Sequence, residues 1–173
     1  MAAGWQLIFI YRRERDELEA VKKFPVILAQ IPYGKSGLAV LADYFVRAGY
    51  ALVLVDVRGR YDSEGEFNFV TLEEEDGPEI VAWITRQDWY DKNAGIGLLG
   101  ISYLLTAGLS AAACCEAVKT LVNVGGVADF SQLAYRGGAL SLHHVLPWSI
   151  IVSPKLIEFA KETDSSILID RFF

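Results

Sequence analysis

Apolar residues fall along this chain in short runs that alternate with stretches of helical spacing. Residues 6–11 (Gln-Leu-Ile-Phe-Ile-Tyr) predict a strand, 12–23 a charged surface connection, and 24–30 (Phe-Pro-Val-Ile-Leu-Ala-Gln) a buried strand. Residues 38–48 predict a helix with Leu38, Leu41, Phe45 and Val46 on one side, closed by Gly49 as a terminating glycine. Residues 50–56 (Tyr-Ala-Leu-Val-Leu-Val-Asp) are almost continuously apolar, the pattern of a parallel strand buried on both faces. A polar, glycine-containing loop over 58–68 precedes a helix over 73–87. Its acidic start, Glu73-Glu74-Glu75-Asp76, suits the positive end of a helix dipole and is expected to be no more than that. A turn at 93–95, a strand over 96–99, a helix over 102–117 and a short strand over 120–124 complete the regular part.

Strand–helix alternation of this kind implies an α/β fold with a mostly parallel sheet and right-handed crossovers. After Asp129 the pattern changes. Residues 130–146 do not alternate cleanly, Pro147 and Pro154 interrupt 140–155, residues 155–163 have helical spacing, and 166–169 offer one further strand. The expected organisation is residues 1–130 as part of an α/β domain and 131–173 as a helical excursion from its sheet. The chain stops on Arg171-Phe172-Phe173, two aromatic residues where a polar tail is usual, which predicts an interrupted domain.

Composition narrows the classes. The 173 residues suffice for one domain with a core, and 53% hydrophobic against 22% charged residues excludes a disordered chain. A net charge of −6 and a pI near 4.9 favour neither nucleic acid nor an anionic membrane surface. The longest apolar stretches carry charges or glycines too often to span a bilayer. No signal peptide is visible at an N-terminus that can itself be incomplete, so a cytoplasmic location is expected. Cys114 and Cys115 are adjacent, without partners for a disulfide framework, and are expected to be small buried packing residues. The two histidines, His143 and His144, have no spaced ligand near them, so neither a metal site nor a cofactor is expected.

The chemistry centres on Gly100-Ile101-Ser102-Tyr103, placed between the run 96–99 and the following helix. A serine on a sharp strand-to-helix turn exposes its Oγ, and the next residue's N–H is positioned to donate to an oxyanion. The G-x-S-x-G pattern is incomplete, because Leu104 stands at the second glycine. Tyr33, in Ile31-Pro32-Tyr33-Gly34-Lys35, follows a strand and belongs to the same rim, since ligand sites in α/β sheets lie beyond the carboxyl ends of strands. Asp56 and Arg58 also end a strand there and read as structural ties. Asp56 precedes the serine, the wrong order for a triad acid. His143 and His144, with Asp129, follow the serine too closely to leave room for the remaining strands of a hydrolase sheet.

Four elements in order carry a family resemblance. They are Pro25-Val26-Ile27-Leu28 into Pro32-Tyr33-Gly34-Lys35; Asp56-Val57-Arg58-Gly59 with Ser63-Glu64-Gly65-Glu66-Phe67; Glu75-Asp76-Gly77 with Trp83-Ile84 and Gln87-Asp88-Trp89; and Gly100-Ile101-Ser102-Tyr103. Together, from about Gly4 to about Trp148, they resemble the X-Pro dipeptidyl-peptidase and cocaine-esterase-like (CocE/NonD) α/β-hydrolases. The resemblance implies Ser102 as acyl-forming nucleophile, with the Tyr33 hydroxyl and the Tyr103 backbone N–H as the oxyanion hole. It implies that Gly137-Gly138-Ala139-Leu140 through Trp148 begin a helical cap. His143 and His144 then belong to that cap, and the acid and histidine of the triad lie beyond it, outside these residues. Leu105 and Asp88 depart from the family, which usually has Gly and Pro there.

The function expected is hydrolysis of a small-molecule ester or peptide through an acyl-enzyme, with little activity from this chain alone. The alternative is a non-catalytic α/β module that binds a partner or forms a homo-oligomer through an open sheet edge. A small-molecule binding protein using the same cleft is a third reading.

Overall fold

The computed structural model describes residues 4, 7–10, 23–68 and 73–153. The predicted helix over 155–163 and strand over 166–169 lie outside them. The chain divides between Ala128 and Asp129 into two compact units.

The first unit is built on a five-stranded sheet of β1 (Leu7–Ile10), β2 (Val26–Ile31), β3 (Ala51–Asp56), β4 (Ile96–Ile101) and β5 (Val118–Val124), in the order β1-β3-β2-β4-β5. Only β1 runs antiparallel, on β3; the other pairs are parallel. Every residue of β3 is buried, as its unbroken apolar run requires of a strand covered on both faces. On one face Val26, Leu28, Val53, Val55, Ile96 and Leu98 pack with Ile80, Val81 and Ile84 of helix α2 (Glu73–Thr85) and Ala111 of helix α3 (Tyr103–Cys114). On the other, Ala29, Ile31, Leu52 and Leu54 meet Leu38, Ala42 and Phe45.

That second layer departs from the predicted helix over 38–48. Lys35–Leu41 wind as a 3-10 helix and only Ala42–Arg47 (α1) are α-helical. At the segment's start the Lys35 N–H donates to Asp56 Oδ1. Three residues per turn then stack Leu38 beneath Leu41. Gly49 ends α1 with φ 88, its N–H donating to the Val46 carbonyl.

Cys114 is exposed and Cys115 half-buried, contrary to the expectation that both are buried. They fall at the end of α3, where Cys115 packs on the rim of the core and Cys114 faces outward. Burial and the neighbouring Cys114 push the Cys115 thiol up to about 11.

The second unit is more regular than its sequence predicted. Helix α4 (Phe130–Ala134) is capped by Asp129, whose side chain accepts the Ser131 N–H. A two-stranded hairpin of β6 (Tyr135–Arg136) and β7 (Ala139–Leu140) follows, and then helix α5 (Leu142–Val152). Gly137 and Gly138, at φ 58 and 83, make the tight turn that two left-handed residues allow. Phe130 packs on Trp148 with ring centroids 5.7 Å apart. Among the described residues, no helix is long and apolar enough to cross a membrane.

Candidate active site

Ser102 follows β4 directly and sits at φ 53, ψ −120, a conformation that L residues adopt only under constraint. The constraint is visible. The Ser102 N–H donates to the Val124 carbonyl at 3.1 Å, and the Ser102 carbonyl accepts the Leu105 N–H at 3.2 Å. Leu105 itself is buried in a space left by two glycines. A Cβ on Gly100 would come within 2.9 Å of Leu105 Cα, and one on Gly126 within 2.6 Å of both Leu105 Cβ and the Ser102 carbonyl oxygen. Gly126 thus makes room beside Leu105. Ser102 remains exposed at the head of α3.

Tyr33 lies on the loop after β2, and that loop is held on both sides. The Pro32 carbonyl accepts Arg60 Nε at 2.8 Å. Lys35 Nζ donates to Asp56 Oδ2 at 2.7 Å and to Asp62 Oδ2 at 2.6 Å. The Asp56 carbonyl accepts Ser63 Oγ at 2.8 Å. Asp56 therefore ties the β2 and β3 loops together, and Arg58 ties the second of these to α2 through Asp76. Gly34, at φ 95, leaves the space that the Tyr61 ring fills. A cleft of about 290 Å³ lies between the segment that follows β2 and the turn from β4 into α3, lined by Ile31, Tyr33, Leu38, Ile101, Ser102 and Leu104. Tyr33 and Ser102 thus share one mostly apolar cleft.

Tyr103 is buried, with its hydroxyl donating to the Glu73 carboxylate. The backbone N–H of Tyr103 is at the first position of α3, where the helix supplies no acceptor of its own. The acidic run at residues 73–76 is more than a helix start: Glu73 and Asp76 are both buried, one on Tyr103 and the other on Arg58. Burial raises the Glu73 pKa above the ordinary glutamate value; the Tyr103 hydrogen bond works against that rise, and the charge of Asp76 adds to it. His143 and His144 stand exposed on α5 of the second unit, with ring centroids 3.9 Å apart. Among the described residues, no group of three or more metal-ligating side chains converges.

A mostly parallel sheet with helices on both faces, and a serine on the turn between a central strand and its helix, define the α/β-hydrolase fold. A CocE/NonD family hydrolase from Staphylococcus aureus superposes with a TM-score of 0.73 at 22% identity, over 86% of this chain and 30% of that one. An aminopeptidase from a marine-sediment thaumarchaeote gives 0.68 at 20% identity, over 84% and 27%. The sequence profile of the X-Pro dipeptidyl-peptidase (S15) family matches residues 18–168, and the chain belongs to that family. Cocaine esterase of Rhodococcus sp. (strain MB1 Bresler) is 34% identical over 142 residues, which cover 77% of this chain and 24% of the esterase. The chain thus spans about a quarter of the length of that relative.

Proposed function

We propose that this chain carries the nucleophile and oxyanion site of a serine hydrolase acting on small-molecule esters or on peptide and amide bonds. The observation that carries the reading is Ser102, held exposed at positive φ on the rim of the cleft it shares with Tyr33. In the proposed reaction Ser102 Oγ gives its proton to a base and bonds to the carbonyl carbon. The carbonyl electron pair moves onto oxygen, where the Tyr33 hydroxyl and the Tyr103 N–H donate to it. Collapse expels the alcohol or amine, which takes up the proton, and water then releases the acyl group. Membership of the peptidase family and likeness to an enzyme named for ester cleavage support both substrate classes. The first unit contains no histidine, so turnover from that unit alone should be orders of magnitude below that of a complete triad.

The test is covalent labelling by a fluorophosphonate. Label at Ser102, lost in Ser102→Ala and slowed about 10²-fold or more in Tyr33→Phe, is expected. Because no histidine of the first unit assists the serine, labelling is followed at high probe concentration over long exposure; label no faster at Ser102 than at other exposed serines of the folded protein refutes the reading.

A second reading, association through the sheet, has one observation in its favour. Val122 and Val124 of β5, one of the two edge strands among the described residues, are 51% and 52% exposed. Concentration-dependent self-association in sedimentation, abolished by Val122→Lys, would support it.

A further inference from the structure

We propose that Glu73 is a positioning residue for the oxyanion donor: through the Tyr103 hydroxyl, its carboxylate fixes the direction of the Tyr103 backbone N–H. The proposal rests on the reading of Ser102 as nucleophile.

The geometry joins α2 to α3 at two points on one helix face. Tyr103 donates its hydroxyl to Glu73 Oε1, and seven residues later Ser110 Oγ donates to the Glu73 carbonyl at 2.6 Å. Gly77 lets the helices close up at the same place, since a Cβ there would lie 2.9 Å from Ser110 Oγ and 3.2 Å from Ala111 Cβ. With α2 seated in this way, the carboxylate has little freedom. Its other oxygen, Oε2, is buried without a hydrogen-bond partner among the described residues. A buried carboxyl with an orphaned oxygen is a costly choice where packing is the only task, because an apolar side chain would fill the space more cheaply.

Its position accounts for the cost. Ser102 holds a strained φ, and such a residue persists only if its neighbours over-determine it. On the upstream side the Ser102 N–H is fixed by Val124. Downstream, Tyr103 is the next residue, and its buried phenol is a second anchor some distance from the backbone. Removing that anchor frees the peptide that carries the oxyanion N–H, while leaving Ser102 and the cleft in place.

The groups acting on the Glu73 carboxyl are the Tyr103 phenol on α3 and, on its own helix, its own backbone N–H and Asp76; Arg58, from the loop after β3, pairs with Asp76. An ionised carboxylate accepts the phenol's hydrogen bond more strongly than a neutral one. Positioning should therefore sharpen as pH rises through the Glu73 titration, which burial moves above the ordinary glutamate range.

The experiment is the second-order rate of fluorophosphonate labelling at Ser102 between roughly pH 4 and 8, a window that brackets a raised carboxyl. Glu73→Ala and Tyr103→Phe are each expected to slow labelling by about tenfold or more. The double variant should be no slower than either single one, because both remove the same tether. Glu73→Gln keeps the shape of the side chain and should lose the rise in rate that follows Glu73 ionisation. In parallel, the Tyr103 amide resonance should move with that titration in the unaltered protein and stay still in Glu73→Gln. Equal rates in folded variants, multiplying losses in the double variant, or an amide that ignores the titration would overturn the role of Glu73 alone. A folded protein that takes no label overturns the nucleophile reading, and with it any catalytic use of Glu73.

Discussion

Lys35 is bonded to Asp56 twice, by its backbone N–H at 2.7 Å and by its ammonium at 2.7 Å, and both side chains are almost wholly buried. One carboxylate thereby fixes the start of the 3-10 helix and the lysine that follows the Tyr33 loop.

Asp56→Asn should be among the most damaging single changes in the first unit. It leaves the Lys35 ammonium facing a neutral amide, with the largely exposed Asp62 as its remaining charged partner, so the loss should approach the lower end of the ~3–5 kcal/mol that breaking a buried pair costs. Urea unfolding should show the midpoint falling with the slope unchanged.

The same pair makes the fold sensitive to alkali. Burial works to lower the Lys35 pKa, but the bonds and charges of Asp56 and Asp62 outweigh it and hold the group above its usual 10.5. A lysine raised on folding contributes stability that is complete below the unfolded value and is lost as pH rises through the folded one. Stability should therefore decline above about pH 10.5, and Lys35→Met should flatten that limb of the pH–stability curve.

Ser102→Gly should separate stability from chemistry. Glycine tolerates φ 53, so relief of strain outweighs its greater unfolded-state freedom, for a net gain of about 1 kcal/mol. Fluorophosphonate labelling disappears in the same variant. A melting temperature that rises while labelling vanishes would mark the turn as a place where strain is retained for function.

Gly126→Ala should be destabilising by about 1–3 kcal/mol, as overpacking usually is. Shortening Leu105 to alanine should not rescue it. The new Cβ would meet the Ser102 carbonyl oxygen and Leu105 Cβ, both still present after the shortening. Thermal unfolding of the single and double variants measures this directly.

Much of the first unit could be read from the chain because its strands are short and their burial is nearly complete. The run at 50–56 has no polar residue before Asp56, and β3 is buried from end to end. The turn at Ser102 was legible for a related reason: a glycine, a serine and an abrupt change of periodicity coincide. What escaped were tethers between distant residues. Lys35 is adjacent to Gly34 in a motif the sequence displays, but nothing local says that its N–H leaves for Asp56 or that the following turns wind in 3-10 form. Glu73 looked like one more acid at a helix start, because the phenol that bonds it is thirty residues away. The second unit was read as irregular because a six-residue hairpin at Tyr135–Leu140, with two residues in each strand, is too short to impose a period.

The hydrogen bond from Ser102 to Val124 extends the β4–β5 pairing by one rung past the end of β4. The proposed nucleophile is therefore hung from the end of a strand whose last three residues are exposed. Fraying of that strand would not stay local. Each opening of the Val124 rung would remove one of the constraints on the Ser102 backbone, so the fidelity of the turn depends in part on the lifetime of a bond to the sheet margin.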